Sequence, residues 1–555
     1  LLRLASLRFG YPIEVFGDEL SNVIIAFKVL AAKSPFIPYE AGAFLPPLLS
    51  YILAPIFAFI GVSGVISGVF KDITDFTSFV ILNREWFLMP ARVVSAIFGT
   101  ATIYFLYLLA DKIFNRKVAL LSAFLLAVNF LHVHDSQIGH IWVPLTFFMV
   151  AIAYFSYCLS LTGEKKWYWL SALFIGLGYA IGQVPIVFGA LFLLAHFYYV
   201  RKIGGRFFDK NFIKAIPMIS GLIIMFTVLN FYTFYKHFYD VAAALLHIFG
   251  FNIAPSAGYN INISRVAKYS FSFNWIFMLK TLFYTNPVIT IAAVFGFLVL
   301  LKKFKFTDLK NVFLIFAPFG YLFLSSVLYY QFNYRYVLPA VPFLAVSASY
   351  FTFRVYERLP FSKARGTMLV LLIIFISGYS VAASSIYSYK LLKPYTVSQG
   401  VEWVYNNIPN RSRIVSAIYL NSSKESVKFG EQYNKFNWVD TRKKHLLALS
   451  DQKLPRPNYF LINPNITDIY TLPEGEKEAD YFVITFYNKE KEDEQIKILR
   501  EFKEEKELVA KFYPKKDKAE VKNLLNFEPQ WIVKTVLDTE YIGPYVEIYK
   551  MVEQD

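Results

Sequence analysis

A polytopic α-helical membrane protein with a soluble α/β domain at its C-terminal end is the fold class this sequence predicts. Three observations carry it. Of the 555 residues, 56% are hydrophobic and 19% aromatic, a greasier composition than soluble domains show. Apolar runs such as "VVSAIFGTATIYFLYLLA" (Val93–Ala110) and "MLVLLIIFISGYSVAASSIY" (Met368–Tyr387) recur. Stretches of roughly 20 apolar residues can cross a bilayer. After Tyr387 charge becomes dense and short β-like runs replace the apolar ones.

Taken in order, the chain opens on "LLRLASLRFGYP", which reads as the end of a span, so a further first helix is expected ahead of it. The stretch "EVFGDELSNV" (Glu14–Val23) then sets the acids Asp18 and Glu19 just before apolar sequence. An apolar segment near 44–63 contains Pro46, Pro47 and Pro55. Proline breaks helices, so this segment is predicted to lie along the outer interface rather than to cross.

Basic loops follow at Asp111–Lys117, Gly163–Lys166, Arg201–Lys214, Lys302–Lys310 and Arg354–Arg365. Cations concentrate in cytoplasmic loops, so these loops predict spans near 87–110, 118–133, 141–162, 167–182, 185–200, 213–235, 286–301, 311–330, 335–353 and 367–388. Residues 1–388 form the predicted membrane domain, with 10–86 as an outer-face loop, and 389–555 the extracytoplasmic α/β domain. Its strands are read at Arg413–Tyr419, Asn458–Pro464, Asp480–Tyr487 and Pro544–Lys550, with a charged helical stretch at Asn488–Glu505. Alternating apolar and polar residues between turn signals are the basis for those strands.

Composition also excludes functions. The net charge of +16 resides in topology loops, not in a basic patch interleaved with aromatics, so nucleic acid is not an expected partner. The single cysteine, Cys158, lies in an apolar run and can form no internal disulfide. No phosphate-binding loop, dinucleotide glycine pattern or helical His-x-x-x-His metal pair is present. No cofactor is expected, although a divalent cation is left open.

What remains is a set of polar residues at outer span ends. Arg92 in "PARVVSAIFGT" and Arg335 with Tyr336 in "NYRYVLPAVPF" stand where an interfacial anchor or an anion ligand would. Arginine well inside a membrane helix costs about 2.5–3.5 kcal/mol on insertion scales, so such residues often mark a site. "HVHDSQIGHIW" packs His132, His134, Asp135 and His140 into one outer turn.

In order, "FGYPIEVFGDE", "PFIPYEAGAFLPPLLSYILAPIFAFIG", "ARVVSAIFGTATIYFLYLLADKIFNRKVALLSAFLLA", "HVHDSQIGHIWVPLTFF" and "NYRYVLPAVPF" resemble the dolichyl-phosphate-mannose protein mannosyltransferase family. That family belongs to the GT-C membrane glycosyltransferases, as do the lipid A aminoarabinose transferases. The resemblance runs with breaks from about residue 8 to 420. It implies an inverting transfer of a sugar from a polyprenyl-phosphate donor on the extracytoplasmic face. It places the catalytic base on Asp18, with Glu19 beside it, and a juxtamembrane helix on the "PPLL" segment. Arg92, His134, Asp135, His140, Arg335 and Tyr336 become candidates for binding donor phosphate or acceptor.

The sequence departs from the family pattern in three places. Trp142 stands where an Asp is frequent, His134 where a basic residue precedes Asp-Ser, and Gln183 where a Lys is frequent. Asp135 and His140 are candidate substitutes. The acceptor is left open between protein, lipid and glycan. Two alternatives compete with the enzyme: a lipid-linked substrate transporter or flippase, and a catalytically silent lipid-binding relative. Transporters tend to repeat their halves, and no internal repeat is visible here.

Overall fold

The computed structural model describes residues 2–16, 19–37, 48–182, 184–231, 271–302, 304–305, 308–328, 333–358, 365–433, 441–462, 479–488, 490–492, 506–515, 521 and 531–552. The membrane half runs α1 (Glu19–Ala32), α2 (Leu48–Ile66), α3 (Ile73–Leu82), α4 (Leu88–Ile113), α5 (Arg116–Val128), α6 (Phe130–Ser136), α7 (Trp142–Thr162), α8 (Lys165–Ile181), α9 (Gly189–Ile203) and α10 (Lys210–Leu229). It continues with α11 (Phe271–Thr285), α12 (Pro287–Lys302), α13 (Leu309–Leu328), α14 (Val341–Arg358) and α15 (Arg365–Lys390). Among the described residues, 8 helices are long and apolar enough to cross a membrane, or up to 10 if each bent pair is one span.

These helices match the predicted spans closely. The 118–133 span is α5 and α6, bent by 60° at Asn129, and the 286–301 span is α12, bent by 120° from Trp275–Thr285. The 167–182 span is α8, with 17 residues. α7 is the central helix, with 89% of its apolar window buried inside the protein. It packs against α4, α8 and α9. That explains why its sequence is apolar on every side rather than on one stripe.

The α2 segment is not broken at Pro55 as proline predicted. Its helix passes through Pro55 without interruption, while Pro46 and Pro47 lie outside the described residues. By length and composition α2 could cross a membrane. Leu48 and Tyr51 sit against Tyr179 and Phe226, near the ends of α8 and α10. Just ahead of it, Ile37 N donates to Leu229 O at 3.0 Å. Further along, the Phe57 ring meets Phe87, just before α4, at 5.1 Å. A Cβ on Gly61 would strike the Phe76 ring at 2.6 Å. Both halves of α2 therefore contact the same end of the helix bundle.

The C-terminal half begins with α16 (Thr396–Asn407) and builds a five-stranded sheet in the order β2-β1-β3-β5-β4. The strands are β1 (Arg413–Ser416), β2 (Phe460–Ile462), β3 (Tyr481–Phe486), β4 (Lys506–Phe512) and β5 (Tyr545–Met551). β1 pairs in parallel with β2 and β3, whereas β5 is antiparallel to both β3 and β4. α17 (Lys424–Tyr433) and α18 (Thr441–Ala448) connect β1 to β2, and α19 (Ile532–Leu537) precedes β5. Phe482, Val483 and Ile484 of β3 and Tyr545, Val546 and Glu547 of β5 are consecutive buried residues, so both strands are buried on both faces, as inner strands of a covered sheet require. β4 was not read from sequence. It is a half-exposed edge strand carrying Lys506 and Lys511, the kind of charge that protects an edge from further pairing. The stretch read as helical at Asn488–Glu505 lies mostly outside the described residues.

The sheet domain is latched onto one end of the helical bundle. Ser398 Oγ donates to Gly10 O at 2.9 Å, and Ser78 Oγ lies 2.7 Å from His445 Nε2. Arg442 Nη1 meets Glu85 Oε1 at 3.3 Å. The Trp531 ring packs on Tyr284 at 5.0 Å, and Lys390 Nζ donates to Thr539 O. The α7–α8 and α9–α10 connections lie at the opposite end, one span away from the latched face. In a Cys158→Ser background, Glu164→Cys, Asp209→Cys and Lys305→Cys are expected to react with an impermeant thiol reagent from one side of sealed vesicles. Gly430→Cys should react from the other. Labelling of Glu164→Cys from the Gly430→Cys side would overturn the alternation of spans.

Candidate functional site

Two buried polar clusters meet at the latched end of the bundle. The first is built on Glu19, the opening residue of α1, and Arg92, near the start of α4. Both are fully buried, with side-chain exposures of 0% and 2%. Arg92 Nε and Nη2 donate to Glu19 Oε1 and Oε2 at 2.9 and 2.7 Å, the two-pronged geometry that suits a guanidinium to a carboxylate. Arg92 Nη1 donates to the backbone oxygens of Ser6 and Phe9 at 2.5 and 2.8 Å. Gly139 N donates to Glu19 Oε1 at 2.7 Å. Only glycine fits there, because a Cβ would stand 2.8 Å from the Ala91 Cβ. The pair thus ties the N-terminal loop, α1, α4 and the 137–141 turn together.

The second cluster depends on the bend between α5 and α6. Asn129 stops α5 and caps α6, its Oδ1 accepting from His132 N at 3.2 Å. Asn286 Oδ1 accepts from Phe130 N at 3.1 Å. Turned this way, α6 buries all seven of its residues. His134 lies among the rings of Phe16, Phe130, Tyr334 and Tyr387, at centroid distances of 5.9, 6.0, 5.7 and 5.3 Å. Asp135 stands between two basic groups, with His134 Nδ1 3.8 Å from Oδ2 and Arg335 Nε 4.0 Å from Oδ1. These separations exceed hydrogen-bond length. Both Asp135 oxygens are buried without a hydrogen-bond partner among the described residues.

Arg335 comes from the 3-10 turn Tyr334–Ala340, where Asn333 Oδ1 accepts from Arg335 N at 3.1 Å. Its Nε donates to Tyr334 Oη at 3.1 Å. His140 is buried nearby, and burial, with Arg335 adding, lowers the pKa of its imidazole well below the usual range. The Tyr336 ring tilts against Trp142 at 5.0 Å, so the tryptophan at the position where an Asp is frequent fills space against the Arg335 turn. His132 has a separate partner: Arg3 Nη2 lies 2.9 Å from its Nδ1.

The structure therefore unites Glu19 with Arg92, and His134 with Asp135 and Arg335. Asp18 and Gln183 lie outside the described residues. Arg92 differs from the anion ligand or interfacial anchor expected of it. Its guanidinium holds Glu19 and two backbone carbonyls, and it is buried rather than directed to the interface. Gly139 and Glu14 were not read as part of the site. Glu14 is exposed as a residue, but its Oε1 accepts from Leu20 N at 3.1 Å in the first turn of α1. Desolvation of that carboxyl, with the Glu19 charge adding, pushes its pKa up to about 6. Its place in "EVFGDE", close ahead of the acid pair, was the available signal. Among the described residues no group of three or more His, Cys, Asp or Glu side chains is arranged to hold a metal ion.

These features define a multi-pass membrane protein with a buried polar centre beneath a latched α/β domain. Residues 77–232, which include Arg92, His134, Asp135 and His140, match the family described as dolichyl-phosphate-mannose-protein mannosyltransferase. No curated protein matches the chain. Among solved structures, it is similar to the apo oligosaccharyltransferase of Archaeoglobus fulgidus, at 14% identity and a TM-score of 0.49, covering 87% of this chain and 68% of that one. A second likeness is to the Archaeoglobus fulgidus oligosaccharyltransferase AglB in complex with an inhibitory peptide and a dolichol-phosphate, at 13% identity and a TM-score of 0.47, covering 75% and 61%. A third is to ArnT from Cupriavidus metallidurans bound to undecaprenyl phosphate, at 11% identity and a TM-score of 0.42, covering 92% and 94%.

Proposed function

We propose that this protein is an inverting glycosyltransferase that moves a hexose or pentose from a polyprenyl-phosphate donor to an acceptor on the extracytoplasmic face of the membrane. The observation that carries the reading is the family match over 77–232. That segment supplies Arg92, Asp135 and the buried turn around them. The bond broken joins the sugar anomeric carbon to the phosphate oxygen, and the bond formed joins it to the acceptor oxygen or nitrogen. The acceptor's proton goes to Asp18, whose role comes from the family resemblance. The leaving polyprenyl phosphate gains negative charge, which a fixed cation in a desolvated site stabilises far better than water does.

Of the two arginines, Arg335 suits that task. Arg92 is committed to Glu19 and to the carbonyls of Ser6 and Phe9. Asp135 stands between His134 and Arg335, and the two are placed to bind the acceptor or to orient the guanidinium. The latched α/β domain is read as lying outside the cell, with protein, lipid or glycan as acceptor. The test is single-turnover transfer from a radiolabelled polyprenyl-phosphate sugar to membrane acceptors by the purified chain in lipid nanodiscs. Absence of transfer across hexosyl and pentosyl donors would remove the reading.

A subsidiary prediction concerns the cations. Arg335→Ala is expected to weaken donor-lipid binding more than Arg92→Ala does in the fraction that remains folded. Equal donor affinity in Arg335→Ala and the parent protein would reduce Arg335 to a structural residue.

A further inference from the structure

Beside the buried Glu19–Arg92 pair lies a cavity of about 360 Å³ whose lining includes Arg8, Tyr11, Glu85, Trp86, Met89 and Arg92. Its volume falls inside the roughly 300–1,000 Å³ range of small-molecule sites. Two aromatic rings form one wall. Tyr11 and Trp86 meet edge to face at 4.5 Å, yet remain 40% and 44% exposed. Phe87, one residue on, is buried among Phe27, Phe57, Phe76 and Phe79. The short turn Arg84–Phe87 thus sends one ring into the core and leaves Trp86 bordering the cavity.

A carboxylate borders the same space. Glu85 Oε1 meets Arg442 Nη1 at 3.3 Å and Arg84 Nε at 3.7 Å. Glu85 and Arg442 are 12% and 8% exposed, so this charge pair is largely withdrawn from water. Arg442 in turn lies over the Tyr419 ring at 4.7 Å. The α/β domain therefore holds the Glu85 carboxylate in place from behind. Arg8 brings an exposed cation to the cavity.

We propose that this cavity is a sugar-binding subsite, with Trp86 and Tyr11 taking the apolar face of a hexose ring and Glu85 accepting hydrogen bonds from its hydroxyls. A pyranose presents C–H bonds on one face and hydroxyls at its edge. An amphipathic aromatic wall beside an oriented carboxylate complements both. Arg442 is a positioning residue, because it fixes Glu85 without lining the cavity itself. The assignment rests on the glycosyltransferase reading, and the sugar is that of the donor or that of a glycan acceptor.

The test begins with binding alone, which needs no turnover. Methyl α-mannoside, α-glucoside and α-galactoside are titrated into the purified full chain in nanodiscs while tryptophan fluorescence is followed. A saturable change is expected with at least one of them, and Trp86→Phe should remove it. Glu85→Gln and Arg442→Ala are each expected to raise the dissociation constant about 10-fold. The double variant should be no weaker than either single one, because both act on one contact, and Arg442→Lys should recover part of the loss. No sugar-dependent signal in the parent chain would make Trp86 a membrane-interface anchor and overturn the proposal.

Transfer kinetics then identify the source of the sugar. In Trp86→Ala, a raised KM for the polyprenyl-phosphate hexose with kcat little changed assigns the subsite to the donor. A raised KM for a glycan acceptor assigns it to the acceptor. Unchanged KM for both in a chain that transfers normally overturns the subsite and leaves the proposed function standing. A Trp86-dependent sugar signal in a chain that transfers nothing supports the subsite and removes the proposed function. Trp86→Phe, which keeps a ring in place, guards against reading misfolding as lost binding.

Discussion

Replacing Glu19 by alanine is expected to destabilise the folded protein by about 3–5 kcal/mol, the usual cost of leaving one partner of a buried ion pair without the other. Arg92 is 2% exposed, and Glu19 takes two of its hydrogen bonds. Without the carboxylate, a desolvated guanidinium would keep only the oxygens of Ser6 and Phe9. Arg92→Ala should fall by a similar amount, because it strands the charge of Glu19. The double variant Glu19→Leu/Arg92→Met should recover much of the loss, since apolar replacement of a whole buried pair is often neutral. The measurement is the thermal midpoint of each purified variant in detergent, followed by cysteine accessibility or near-ultraviolet dichroism. A Glu19→Ala midpoint equal to that of the parent chain would contradict a structural role for the pair.

Asp18→Asn is expected to behave in the opposite way. It retains the shape of the side chain but cannot accept a proton. Turnover should drop about 10²–10⁴-fold, the scale on which general-base catalysis acts. Donor binding and the thermal midpoint should stay near those of the parent chain. Glu19→Gln should cost less turnover than Asp18→Asn and more stability. That crossed pattern separates two adjacent acids that look alike in sequence: one performing chemistry, the other holding the loop on which it stands. If Asp18→Asn transfers sugar as fast as the parent chain, the base must be sought at Asp135, whose oxygens are buried without hydrogen bonds among the described residues.

The sequence exposed the architecture because apolar length and charge-dense loops are local signals. Spans such as Leu88–Ile113 and Trp142–Thr162 could be read within a few residues. Four of the strands were legible from alternation, whereas β4, rich in charge at a sheet edge, was not. The site was harder, because its organisation is made by distant partners. Glu19 and Arg92 are 73 positions apart, and nothing in the pattern around Arg92 distinguishes a guanidinium that binds a ligand from one that clamps a carboxylate. The turn of α6 was hidden for a related reason. Asn129 reads as an ordinary polar residue in an apolar run, and its effect depends on Asn286 reaching across to Phe130. His134, Asp135 and Arg335 were picked out individually, but that they converge follows only from this bend.

The sheet that caps the bundle has an order of strands unlike their order along the chain. β5, the last described strand, lies between β3 and β4 and pairs with both. Thr396, at the start of α16, also donates its hydroxyl to Pro544 O just ahead of β5, at 2.7 Å. During synthesis the membrane helices therefore emerge long before the strand that closes the sheet. Until residues 545–551 arrive, β3 lacks one of its neighbours and β4 has none. The latches at Gly10, Ser78 and Glu85 then have no finished domain to grip. A ribosome stalled before β5 would leave helices inserted in the bilayer beneath an open sheet.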